Sequence, residues 1–96
     1  MKIVYALIYR QEKGAGPEFE QRIPRLMAWL RDLKTQGKLR GCGGWEDAPG
    51  GLTLVEAANR EEAERIAAAD PMAEIGRHEI FEWGVFYGDL AVPRSW

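Results

Sequence analysis

One cysteine and one histidine stand in 96 residues, and that scarcity removes whole classes of chemistry. A lone Cys42 cannot form an internal disulfide, which fits a reducing compartment. His78, the single imidazole, is far from Cys42 in sequence, and no zinc-type ligand spacing is present. No metal and no cofactor is therefore expected. Cys42 reads as a small buried hydrophobe, since a reactive thiol needs a basic partner and a depressed pKa. Basic blocks are also lacking: acids and bases are interspersed and the formal net charge is -2, so nucleic acid is not expected as a partner. The apolar run over residues 3–9 is too short to cross a bilayer, and no signal-type cleavage pattern lies near it. The expectation is a cytoplasmic protein without a membrane partner. A chain this short makes one domain, residues 1–96, with 89–96 as a C-terminal tail.

What is present is ordered. Residues 3–9 are β-branched and aromatic and predict a strand. Both of its faces are apolar, whereas a sheet with one wet face alternates. Two helices can cover one side, and a second copy of the chain is the expected cover for the other. After a polar loop, Phe19, Ile23, Leu26, Leu30 and Leu33 recur at helical spacing and predict one apolar stripe. Pro24 leaves two alternatives: a helix starting near Ile23, or an opening turn from Pro17 that bends at Pro24. Gly37 supplies the stop. Residues 38–45 predict a weak, glycine-rich strand. It is not a phosphate loop, because no helix follows and the Lys-Ser/Thr ending is missing. A turn over 46–51 joins it to a strand over 52–57. Asn59, with Glu62 three residues on, predicts a capped second helix. The last strand is predicted over 78–87.

The order is β-α-β-β-α-β. That is the split, ferredoxin-like arrangement: an α+β fold with a four-stranded antiparallel sheet and two helices on one face. Pairing two such sheets face to face makes a dimeric α+β barrel, so a homodimer is expected.

The chain turns on Asp70-Pro71. Proline biases the preceding residue away from helical angles, so the Ala-rich helix should end there. Pro71 suits the first position of a new short turn, and Asp70 is a natural cap for Met72 and Ala73. A carboxylate held this firmly beside the last strand is also a candidate site residue.

A helix ending in Ala67-Ala68-Ala69-Asp70-Pro71, then a spacer with Gly76, then a strand reaching Phe81-Glu82-Trp83 resembles the C-terminal half of the YciI-like (YCII-related) family. The resemblance extends more weakly over residues 1–87. It implies small dimeric α+β barrels and, where there is activity, acid–base chemistry on a small organic molecule without a cofactor. The family's proposed site pairs a helix histidine with the aspartate of the Asp-Pro turn. The aspartate maps onto Asp70. The histidine does not carry over: its position falls on Leu26, or on Arg25 with a slip of one residue.

Arginine cannot shuttle protons at neutral pH. Arg22 or Arg25 could instead pair with Asp70 or hold a ligand carboxylate. His78 is the remaining candidate proton carrier. Tyr5 and Trp83 are candidates for an aromatic ligand floor. Two functions stay open: cofactor-free elimination or isomerisation of a small organic compound around Asp70, and a ligand-binding or purely structural dimer in which Asp70 only caps.

Overall fold

The computed structural model describes residues 3–12 and 16–91. The order is β1 (Ile3–Gln11), α1 (Pro17–Thr35), β2 (Leu39–Gly44), β3 (Gly51–Ala57), α2 (Arg60–Ala68), a 3-10 turn (Pro71–Glu74) and β4 (Gly76–Glu82). The strands form one sheet in the order β2-β3-β1-β4, and every neighbouring pair is antiparallel. This is the expected ferredoxin-like α+β fold.

The inner face of the sheet holds the core. Tyr5 and Leu7 of β1 and Val55 and Ala57 of β3 meet Trp29 and Leu33 of α1 and Ala63, Ile66 and Ala67 of α2. Alanines on α2 let the helix lie close to the strands. The Trp29 indole N–H donates to the Ile66 carbonyl at 3.2 Å, tying the two helices together. The outer face carries the alternate residues Ala6, Ile8, Leu52, Leu54 and Phe81, which register as neighbours across β3, β1 and β4.

Helix α1 starts at Pro17, as one of the two alternatives has it, and continues through Pro24, so it does not begin late near Ile23. An interior proline costs about 3 kcal/mol, which the packed half of α1 outweighs. The apolar stripe is buried only in part. Trp29 and Leu33 are buried, and Leu26 and Leu30 pack against the core, but Phe19 and Ile23 remain more than a third exposed. The physical reason is position: the first turns of α1 overhang a cavity and not the sheet.

β4 ends at Glu82, short of the predicted Tyr87. Its pairing with β1 runs to Tyr5–Glu82, and Trp83 N–H makes one further bond, to the Val4 carbonyl at 2.8 Å. Beyond Trp83 no further pairing of this segment with β1 is present among the described residues. Residues 92–96 of the tail lie outside the described residues. No helix among the described residues is long and apolar enough to cross a membrane.

Candidate active site

Helix α2 stops at Ala68, and Asp70 stands in extended conformation at the head of the 3-10 turn. Its Oδ1 accepts the Met72 N–H at 2.9 Å, the expected cap. Its other oxygen is used differently. Oδ2 lies 2.9 Å from Nε2 of His78. Both side chains are buried, 5% and 6% exposed respectively. A carboxylate this deep must be hydrogen-bonded or paired, and Asp70 is hydrogen-bonded through both oxygens.

The pairing follows from local structure. Register places His78 of β4 opposite Tyr9 of β1, on the inner face shared with Tyr5 and Leu7. The tilted Tyr9 ring lies 5.5 Å from the imidazole. Tyr9 also packs on Met72 and Ile75, with Leu26 against them. Gly76 makes room: a side chain there would strike the Tyr9 ring and the Arg10 carbonyl within 2.8 Å. The Tyr9 hydroxyl is buried and has no hydrogen-bond partner among the described residues. Burial, then the nearby Asp70, pushes its pKa up, while Arg22 pulls the other way.

Asp70, Tyr9 and Met72 form part of the wall of a cavity of about 430 Å³. Phe19 and Leu26 of α1 overhang it, and Trp45, Leu52, Thr53 and Cys42 complete the far side. His78 is not part of that wall. Asp70 borders the cavity, whereas His78, bonded to its Oδ2, does not. Chemically, Asp70 is placed to accept a hydrogen from a bound molecule, and His78 is placed to hold Asp70 and tune it. Cys42 lies against the Thr53 hydroxyl at 3.2 Å. Cys42 is exposed rather than buried as expected, and local desolvation pushes its thiol pKa up against the pull of that hydrogen bond. Among the described residues no cluster of ligating side chains could hold a metal.

The other sequence candidates lie elsewhere. Arg22 and Arg25 do not meet Asp70. Both clasp Glu74, at 3.0 Å and 2.6 Å, and hold the Glu74 carboxyl below its usual range. Glu74 follows Asp70 by one helical turn, and its carboxylate is exposed, so the cations pair with it at little desolvation cost. Tyr5 belongs to the core under the helices, where burial chiefly raises its pKa. Trp83 is partly exposed beyond the end of β4. Neither lines the cavity. Thr53 was not singled out from the sequence for this site. Tyr9 shares the alternation of Tyr5 and Leu7, which marks its face, but its meeting with His78 depends on a register between distant strands.

The fold and the buried carboxylate–imidazole pair define an α+β protein of the ferredoxin-like class with a cavity between α1 and the sheet. The chain belongs to the YCII-related family, whose domain model matches residues 1–84. It is similar in structure to the 5-chloro-2-hydroxyhydroquinone dehydrochlorinase TftG of Burkholderia phenoliruptrix AC1100, solved in complex with 2,5-dihydroxybenzoquinone. The two share 21% identity over 92% of this chain and 99% of that one, with a TM-score of 0.63. At that identity the likeness speaks for the fold. No curated protein matches the chain significantly.

Proposed function

We propose that the protein carries out cofactor-free acid–base chemistry, elimination or isomerisation, on a small organic molecule bound in this cavity. One observation carries the reading: Asp70 is buried, fixed by two hydrogen bonds at 2.9 Å, and still lines the cavity. A base held in one orientation meets the geometric requirement for general-base catalysis. In an elimination Asp70 takes a proton from the bound molecule. The electrons of that bond form the new double bond, and the leaving group departs with its own pair. In an isomerisation the same proton is returned at another carbon. His78 is the positioning residue and stabilises the carboxylate. The resemblance in fold to a dehydrochlorinase supports this class of reaction.

The test is chloride release from 5-chloro-2-hydroxyhydroquinone by wild type and by Asp70→Asn. General-base catalysis contributes about 10²–10⁴-fold, so the variant should lose at least about a hundredfold. Equal rates for the two proteins would remove Asp70 from the chemistry. Ligand binding without turnover is the second reading. It is favoured by Leu26, an inert side chain in the cavity wall at the position where the family pattern puts a helix histidine.

The proposed working form is a homodimer, and a cytoplasmic location accords with the single cysteine. Ala6, Ile8, Leu52 and Leu54 on the outer face are only partly covered, and Phe81 is half exposed. A second sheet would bury them. Sedimentation of a stable monomer at micromolar concentration would contradict the dimer.

A further inference from the structure

We infer, building on the site proposed above, that the cavity takes an uncharged ring bearing a hydroxyl group and excludes ring carboxylates. The wall decides this by charge. Among the described residues that line the cavity there is no lysine and no arginine. The two nearby guanidinium groups are committed: Arg25 to Glu74 at 2.6 Å, and Arg22 to Glu74 at 3.0 Å and to the Glu18 carbonyl at 2.8 Å. The charged group in the wall is Asp70. A ligand carboxylate would shed water, meet no counter-charge and face another carboxylate in a low-dielectric setting.

A hydroxyl has the opposite fit. Each carboxylate oxygen can accept two hydrogens, and among the described residues each Asp70 oxygen has one partner, Met72 for Oδ1 and His78 for Oδ2. A ligand hydroxyl can therefore donate to Asp70 without displacing either. A second polar point lies across the cavity. Thr53 is buried, and its hydroxyl meets a thiol, a weak hydrogen-bonding partner. It is free to trade that contact for a ring substituent. Between the two points the wall is aromatic and aliphatic, from Tyr9, Phe19, Leu26 and Trp45, which suits the faces of a ring.

The experiment is calorimetric titration of the intact protein with 4-hydroxybenzyl alcohol and with 4-hydroxybenzoate, one ring differing in a single substituent. The alcohol should bind at least about tenfold more tightly, a modest fraction of the repulsion between two close charges at an effective dielectric of about 20. In Asp70→Asn the gap should narrow, with the alcohol weakened and the benzoate strengthened. Equal or tighter binding of the benzoate to wild type overturns the inference. So does failure of both compounds to bind at millimolar concentration, and so does a gap that Asp70→Asn leaves unchanged. Chloride release plays no part in this test. A protein that binds the alcohol selectively but turns nothing over would lose the elimination reading and keep this one.

Discussion

Replacing Asp70 by alanine removes two different hydrogen bonds at once, and the structure sets the size of the effect. The first is the cap on Met72 N–H at 2.9 Å. Loss of such a cap costs typically about 1 kcal/mol. The second is the bond to His78 Nε2, also 2.9 Å, between side chains 5% and 6% exposed. A buried polar group left without its partner costs about 1–3 kcal/mol. Asp70→Ala should therefore destabilise by about 2–4 kcal/mol. For a domain of this size each kcal/mol moves the melting temperature by about 4–8 °C. A fall of roughly 8–32 °C follows. Asp70→Asn should cost much less, because asparagine caps about as well as aspartate and its amide can still bond the imidazole. Thermal melting of both variants, with His78→Ala and the double replacement to close a cycle, measures the pair directly. The coupling should be about 1–3 kcal/mol. If Asp70→Ala costs no more than a cap and the cycle is additive, the carboxylate–imidazole pair is not an energetic unit and Asp70 is only a cap.

Three further outcomes follow from the same geometry. Tyr9→Phe removes a buried hydroxyl that has no described partner, so chemical denaturation should show stability unchanged or raised by about 1 kcal/mol; a clear loss would mean the hydroxyl is bonded. Gly76→Ala would drive a methyl into Tyr9 and the Arg10 carbonyl, and the melt should show a loss of about 1–3 kcal/mol, the usual cost of overpacking, with no loss refuting the close approach. Because local desolvation raises the pKa of the exposed Cys42 thiol, less thiolate exists at any given pH. Alkylation of the folded protein by iodoacetamide should therefore be slower than that of the unfolded chain, with its rise displaced to higher pH; equal rate profiles would show an ordinary thiol.

Much of the fold was legible because its signals are local. Asn59 caps α2 by accepting the Glu62 N–H at 2.9 Å, as the spacing of the two residues implies. Asp70 caps the turn at Pro71 for the same kind of reason. Gly37 has a positive φ of 72° where a helix stop was expected. What could not be read depends on distant segments. The end of β4 is set by its pairing with β1, a distant segment. The exposure of Phe19 and Ile23 depends on α1 overhanging a cavity that periodicity cannot see. The site divides the same way. Asp70 is marked by its proline, but its partner is chosen by the registry of β4 against β1. Arg22 and Arg25 share a helix face with a plausible ligand role, and Glu74, one turn beyond Asp70, takes both. The Asp70–His78 pair itself was not expected from the sequence, which offered the two residues as separate candidates.

The central claim is that Asp70, held by His78, is where a small molecule meets this protein. His78 is the single histidine of the chain, so its ring C–H resonances are an unambiguous reporter in a proton–carbon NMR spectrum. Titrating 4-hydroxybenzyl alcohol into wild type should shift those resonances in a saturable way, and Asp70→Asn, while remaining folded, should abolish or sharply reduce the shift. Resonances that stay in place as the ligand saturates the protein, or that move equally in the variant, would contradict the claim.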